Sequence, residues 1–173
     1  RPERLARARV SADFFPLFGA PLVQGRTFSA EEDRPGGPRV VVLSGGFWAR
    51  RYGADGGIIG QPILLDGEPY TVVGVLASSF DVRDLGGTPD VYTPFQLDPN
   101  TLDQGIYLQA AARLMPGVTA QQADARLVAS TAAFRQRFPK ALSGSQVLSV
   151  QPIRDVLVGG FSRWFLLFMG AVA

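Results

Sequence analysis

Histidine and cysteine are both absent from the 173 residues of this chain, which removes the side chains most used for nucleophilic and zinc chemistry. A Ser-His-Asp triad, a Cys-His dyad, a disulfide and a zinc site of the usual ligands therefore cannot form. The remaining candidates for chemistry are carboxylates, arginines and hydroxyls. For each group, the spacing along the chain decides between a chemical role and a structural one.

The densest acidic group is formed by Glu31, Glu32 and Asp33, which could in principle bind a cation. These residues follow Ser29, and acidic side chains in the first turn of a helix are favoured by the helix dipole. We therefore expect a structural role. The other aspartates considered stand beside glycine, proline or other turn-forming residues, which predicts loops and not acid/base pairs. These are Asp55, Asp66, Asp81, Asp84 and Asp90.

A glycine-rich turn at residues 44–46 lies between a predicted strand and a predicted helix, where a phosphate could bind. No lysine follows and no G-x-G-x-x-G spacing is present, so helix capping by Ser44 is the favoured interpretation. Arg50 and Arg51 are expected on a solvated helix face. Trp48 could stack on a ligand, but its spacing from Tyr52 indicates a largely buried core position. No catalytic, cofactor-binding or metal-ligating residue is predicted, and no cofactor.

Hydrophobic periodicity and turn signals predict the secondary structure. Strands are expected at residues 5–10, 20–25, 40–43, 62–66, 69–76, 90–95, 107–114 and 147–153. The pair Asp66 and Gly67 predicts a hairpin turn, and Pro94 favours an edge position for its strand. Helices are expected at 11–18, after Ser44, and over 119–138, where Thr119 and Gln122 form a capping box. The phenylalanines of the first helix are expected in the core.

This order of elements predicts an α+β fold. Two strand-helix-strand units flank a β-rich stretch, which suggests a split ferredoxin-like, porter-like subdomain formed by residues 1–26 and 105–154. Residues 27–104 would form an inserted β-rich subdomain. The four strands of the first subdomain, 5–10, 20–25, 107–114 and 147–153, are expected to share one sheet.

Composition excludes some classes of partner. With 46% hydrophobic residues the chain can bury a core, and a net charge of +2 gives no strong attraction to nucleic acid. The stretch 156–173 is apolar apart from a few residues, and an arginine next to a tryptophan, Arg163 and Trp164, is typical of a membrane interface. We therefore expect residues 155–173 to be the start of a transmembrane helix.

Four segments resemble the MacB-like periplasmic core domain of bacterial ABC transporter permeases, the MacB/FtsX-type family. They are residues 10–33, 40–76, 90–95 and 112–127. The most specific is 40–76, which reads as a strand, Leu-Ser, W-x-R-x-Y-G, and then I-x-G-x-x-I-x-L-D-G-x-x-Y-x-V-V-G-V. The residues of this motif suit a fold and not a chemical reaction, since glycines serve tight backbone and Trp48 anchors a helix.

The resemblance implies a domain on the periplasmic side of the bacterial inner membrane, in a permease that dimerises or pairs with another permease. Its partners would be the membrane and a cytoplasmic ATP-binding subunit or domain, whose ATP hydrolysis would be coupled to movement outside for export or mechanotransmission. The chain itself lacks the G-x-x-x-x-G-K-[ST] motif. A periplasmic adaptor and the cargo stay open. The alternative is a membrane-anchored extracytoplasmic sensor or ligand-binding domain, and an enzyme is not expected.

Overall fold

The computed structural model describes residues 3–80, 82, 87–98, 109–142 and 144–155. The chain forms two compact units, Arg1–Thr101 and Leu102–Ala173. Among the described residues, the first unit contains one six-stranded sheet, two short α-helices and a 3₁₀ helix (Gly56–Ile58), and the second contains one long α-helix. A mixed composition of this kind confirms the α+β class.

The sheet of the first unit has the strand order β1-β6-β3-β5-β2, with β4 also paired to β5. Its strands are β1 (Arg7–Val10), β2 (Leu22–Gly25), β3 (Val40–Leu43), β4 (Pro62–Leu65), β5 (Glu68–Leu76) and β6 (Val91–Pro94). The pairs β1–β6 and β3–β5 are parallel, and the other pairs are antiparallel. The long strand β5 pairs with β4 through its first half and with β2 through its second.

The central strand β3 explains why the core lies on both faces of the sheet. All four of its residues are buried. Because side chains alternate along a strand, Val40 and Val42 join one apolar cluster while Val41 and Leu43 join another. Helix α1 (Phe14–Phe18) contributes Phe15 to the first cluster, as expected for its phenylalanines, and helix α2 (Gly45–Tyr52) contributes Phe47 to the second.

The local turn and cap signals of the first unit are confirmed. The Ser44 hydroxyl accepts a hydrogen bond from the amide of Phe47 at 3.2 Å, which caps α2. Between β4 and β5, Asp66 and Gly67 have φ values of 54° and 83°. Two consecutive left-handed residues define a two-residue hairpin turn that suits aspartate followed by glycine.

The expected edge position of Pro94 is wrong, because β6 lies between β1 and β3. Proline is tolerated there since β3 pairs with β6 only at Val91 and Tyr92. Pro94 is the last residue of its strand and has no β3 partner, so its missing amide hydrogen interrupts no bond to β3.

In the second unit, helix α3 (Ala120–Arg137) begins with the expected capping box, in which Thr119 and Gln122 exchange side-chain and backbone hydrogen bonds. The described residues 109–114 and 146–152 carry no strand assignment, in contrast to the expectation for these segments. Strands β1 and β2 pair with strands from the 27–104 stretch. The predicted subdomain division places residues 1–26 and 105–154 in one subdomain and 27–104 in an inserted one. It stays a prediction, because residues 99–108, which contain the boundary, lie outside the described residues.

The anchor of helix α2 differs from the one expected. Phe47 is 2% exposed, whereas Trp48 is only half-buried and packs at the margin of the same cluster. The indole N–H of Trp48 donates to the backbone carbonyl of Asp55 at 2.9 Å. Phe47 is therefore the buried anchor of the helix. Trp48 instead holds the segment that follows the helix, through its hydrogen bond to Asp55.

We predict that Phe47→Ala lowers the free energy of unfolding by about 3–5 kcal/mol, since it opens a cavity in the core. Trp48→Ala should cost about 1–3 kcal/mol, since Trp48 is only partly buried at the margin of the cluster and one hydrogen bond is lost. Urea denaturation of the two variants measures the difference. A Trp48 variant less stable than the Phe47 variant would contradict this assignment of the anchor.

Candidate functional site

The acidic group at residues 31–33 has a structural role in the folded chain. The Glu32 carboxylate accepts two hydrogen bonds from the Arg26 guanidinium, at 2.8 and 2.7 Å, and a third from the amide of Ser29 at 2.8 Å. The hydrogen bond from Arg26 lowers the pKa of Glu32, and this effect outweighs partial burial, which acts in the opposite direction. Three hydrogen bonds hold this carboxylate in place, as expected for a structural residue.

Asp33 joins three parts of the first unit. Its carboxylate accepts hydrogen bonds from the amides of Ala12 at 2.8 Å, Phe95 at 2.9 Å and Gln96 at 3.0 Å. Ala12 follows β1, and Phe95 follows β6, the parallel neighbour of β1. One carboxylate thus fixes the ends of two adjacent strands to the loop that carries it.

The glycine-rich turn at 44–46 is shaped by close packing. A Cβ atom on Gly45 would lie 2.6 Å from the carbonyl oxygen of Leu76 and 2.8 Å from the amide of Ser78, so only glycine fits. A cavity of about 240 Å³ borders this turn. Arg50 on the same helix forms a 3.0 Å ion pair with Asp90 and contacts Glu3, so it faces carboxylates. The turn is therefore a packed helix start.

The other aspartates of the sequence analysis serve turns and strand ends. Asp55 accepts a hydrogen bond from the amide of Gly57, and Asp66 forms an ion pair with Arg7. Asp90 accepts from the amide of Ala6. Asp81 and Asp84 lie outside the described residues. Within the described part of the chain, acidic residues nowhere gather in a group of three that could hold a metal ion. The expectation that no residue is catalytic stays a prediction.

The arrangement in the second unit that sequence reasoning missed is a set of side chains on α3 that bind the backbone of a later segment. Thr131 Oγ1 accepts from the amide of Leu148 at 3.1 Å, and Asp124 Oδ1 accepts from the amide of Val150 at 2.8 Å. The Arg135 guanidinium donates to the carbonyls of Gly144, at 2.9 Å, and Gln146. We call Asp124, Thr131, Arg135 and the backbone of 144–150 the α3 clasp.

The spacing of the three side chains explains how the clasp forms. Positions 124, 131 and 135 are seven and four residues apart, which places them on one face of a helix. Thr131 is 4% exposed, so its hydroxyl is a buried acceptor that needs a partner. Leu127, an apolar residue of the same helix, is by contrast 38% exposed. The spacing of the polar residues 124, 131 and 135 on one face of the helix was the signal in the sequence that could have predicted the clasp.

The clasp holds to α3 the segment that precedes residues 156–173 in the sequence. Segment 144–150 is held to the helix by side chains alone among the described residues, and it leads within five residues to 156–173. The stretch 156–173, expected to begin a transmembrane helix, lies outside the described residues. Within the part that the structure describes, no helix has the length and apolar character needed to cross a membrane.

Residues 3–130 match the family model of the MacB-like periplasmic core domain. This match covers more than half of the chain, and the chain belongs to that family. It is thus a periplasmic domain of a MacB/FtsX-like ABC-type permease, as the sequence motifs predict.

The most similar proteins include macrolide export ATP-binding/permease proteins MacB. The one from Salmonella paratyphi A is 25% identical over 121 residues, which are 68% of this chain and 18% of that protein. The one from Hahella chejuensis is 30% identical over 86 residues, 50% of this chain and 13% of that protein. The chain therefore spans less than a fifth of either relative.

The fold is similar to a solved structure, the periplasmic region of MacB from Actinobacillus actinomycetemcomitans. The TM-score is 0.52 at 18% identity, and the similarity covers 78% of this chain and 57% of that one. The likeness concerns the fold, and it supports the α+β class found here.

We predict that Asp33→Ala destabilises the first unit by about 2–4 kcal/mol, because three amides lose a charged acceptor. Asp13→Ala is the matched control, since Asp13 is exposed and its side chain does not cap α1. Thermal and urea unfolding measure both variants. Equal stabilities of the two variants would show that Asp33 does not hold the strand ends together.

The Glu32–Arg26 pair predicts a defined pH dependence. In the folded chain the pKa of Glu32 lies below its ordinary value of 4.5. The ionised carboxylate therefore contributes fully to the free energy of unfolding above that value, and this contribution is lost as the pH falls through the lowered pKa. Glu32→Gln should cost about 1–2 kcal/mol near neutral pH, a modest effect because Arg26 is about half exposed. The difference from the wild type should shrink in acid.

The control for this measurement is Glu68→Gln, which removes an ion pair with Arg39 whose two side chains are both about half exposed. At pH 7, 5 and 3, the free energy of unfolding of that variant should differ little from that of the wild type. A Glu32→Gln difference that stays constant or grows toward pH 3 would contradict the assigned role of the pair.

Proposed function

We propose that this domain couples ATP hydrolysis at a cytoplasmic ATP-binding subunit or domain to conformational change in the periplasm, for export or mechanotransmission. The observation that carries the proposal is the α3 clasp. It fastens the segment that precedes 156–173 to α3, the longest helix in the part of the chain that the structure describes. A displacement of that segment is therefore passed to α3 through directional hydrogen bonds.

The composition of the junction supports the same proposal. Residues 151–155 read Gln-Pro-Ile-Arg-Asp and contain neither glycine nor serine. Gly/Ser-rich linkers behave as random coils and would decouple the two sides, whereas proline restricts the backbone. We propose that 156–173 enters the inner membrane, so that this short junction joins the bilayer to the periplasmic domain.

The proposed partners follow from the class of protein. The names of the relatives combine ATP binding and permease function in one protein, so an ATP-binding domain or subunit is the proposed energy source. We also propose that the permease acts as a homodimer or as one of a permease pair. A membrane-anchored sensor or ligand-binding role is the alternative. The full-length protein distinguishes the two, because a permease acts with an ATP-binding domain or subunit and a sensor does not.

We propose that the domain itself is not catalytic and needs no cofactor. The Glu32 carboxylate is engaged with Arg26, and the Asp33 carboxylate with backbone amides. Histidine and cysteine are absent, so the usual nucleophile and base pairs are not available. The domain would act by shape and movement.

The clasp can be tested in the full-length permease with the double variant Asp124→Ala and Thr131→Val. Loss of these two acceptors should raise hydrogen exchange at the amides of Leu148 and Val150 by about 10- to 100-fold. ATP hydrolysis should survive while the periplasmic activity falls. Gln121→Ala, on the exposed surface of the same helix, is the control.

A linker insertion tests the same coupling independently of the clasp. A long Gly/Ser linker after Asp155 should abolish the periplasmic activity and leave ATP hydrolysis intact. The same linker at Gly87, an exposed position with open space around it, should be tolerated. If the variant with the linker after Asp155 works as well as the wild type, this junction does not couple the two sides.

A further inference from the structure

Strand β1 lies at the edge of the sheet in the first unit, and among the described residues β6 is its only strand partner. The two strands are parallel, and Arg7–Val10 pairs with Val91–Pro94 without a shift in register. Segment 3–6 leads into β1, and segment 95–98 follows β6. Because the strands are parallel, these two segments lie at opposite ends of the pair.

This topology determines how the pair responds to tension. A force that pulls segment 3–6 one way and segment 95–98 the other way is directed along the strands. The hydrogen bonds of the ladder run between the strands, so this force loads all of them together in shear. A force that separates two neighbouring ends would instead open the ladder one bond at a time. The load also passes directly from β1 to β6, without crossing the shorter pairing of β6 with β3.

Charged side chains reinforce the pair at its amino-terminal end. The Asp90 carboxylate, just before β6, accepts a hydrogen bond from the amide of Ala6 at 3.0 Å, and the Ala6 carbonyl accepts one from the amide of Asp90 at 2.8 Å. The Arg50 guanidinium lies 3.0 Å from the same carboxylate and 3.6 Å from that of Glu3. Since Arg50 belongs to α2, it ties the segment that enters β1 to both β6 and a helix of the core.

The carboxyl-terminal end of the pair is reinforced in the same way. The amide of Phe95 donates to the carbonyl of Val10 at 2.9 Å, and the Arg9 guanidinium donates to the carbonyl of Phe95. The guanidinium carbon of Arg9 also lies 5.6 Å from the centre of the Phe95 ring. The Asp33 carboxylate joins the amides of Ala12 and Phe95. Sliding of one strand along the other would therefore break these contacts together with the ladder.

We propose that the β1–β6 pair, reinforced by charged side chains at both ends, is the load-bearing element that keeps the first unit folded when the chain is pulled. β1 and β6 are the first and last strands of the unit in chain order, so a force carried along the chain enters and leaves through this pair. This property goes beyond the proposed coupling function and does not depend on it. A coupling domain would use it, because a unit that unfolds under load cannot pass on a displacement.

Single-molecule pulling tests the proposal, and the absence of cysteine allows attachment points to be introduced without a background. In the full chain of 173 residues, Arg4→Cys with Leu97→Cys places the two handles at opposite ends of the pair. The matched control is Arg4→Cys with Thr88→Cys, which places both handles at the amino-terminal end. All three positions are exposed, and the second unit does not lie between the attachment points of either variant.

At one pulling rate, the 4/97 variant should unfold at a mean force at least about twofold higher than the 4/88 variant, because only the first geometry loads the whole ladder in shear. Urea denaturation of both variants gives their free energies of unfolding without force. Equal forces in the two geometries, a higher force for the 4/88 variant, or a difference in force that only follows the free energies of unfolding would overturn the proposal.

The reinforcement has its own test. Added to the 4/97 variant, Arg50→Gln should raise the rate of unfolding at a fixed force by about two- to fivefold, the range expected for exposed ion pairs. Arg39→Gln is the matched control, since its ion pair with Glu68 is as exposed and touches neither β1 nor β6. An equal effect of the two substitutions, or no effect of Arg50→Gln, would show that Arg50 does not bear load in this pair.

Discussion

The hydrogen bonds that the Asp33 carboxylate accepts hold the strand ends of the first unit together. The carboxylate binds three backbone amides, and these follow β1 and β6, two strands that are far apart in the chain and adjacent in the sheet. A backbone hydrogen bond from the amide of Phe95 to the carbonyl of Val10 joins the same strand ends. The carboxylate shared by three amides adds a charged acceptor at this point. The Glu32–Arg26 pair beside it keeps the loop that carries Asp33 in place.

Each of the two units is stabilised internally by a different kind of contact. In the first, β-strand ladders and two apolar clusters determine the structure, so most single polar changes at the surface should be tolerated. In the second, side chains of α3 hold segment 144–150, and such bonds can break one at a time without loss of the helix.

Local signals were predictable from the sequence. Three such signals are the cap at Ser44, the capping box of Thr119 and Gln122, and the hairpin turn at Asp66. Each depends on residues within four positions of one another, so the local sequence alone specifies it. The family was likewise predictable, because the motif in 40–76 resembles that of the MacB-like periplasmic core domain.

Long-range contacts were not predictable. The choice of Phe47 over Trp48 as anchor depends on how far α2 rotates against β3 and β5, which no local pattern specifies. The internal position of Pro94 depends on how few residues β3 and β6 share. The α3 clasp joins positions up to 26 residues apart. Each of these outcomes is decided by the packing of distant segments.

The pairing of β1 with β6 also governs the order in which the first unit can assemble. The contact between Ala6 and Asp90 spans 84 residues, whereas the β4–β5 hairpin closes over a two-residue turn. Contacts between distant residues form late and slow the folding of a domain. Because β1 precedes β6 in the chain, β1 is synthesised first and stays unpaired until β6 has been made. During that interval its unpaired edge is exposed, and its alternating arginines discourage pairing with a wrong strand.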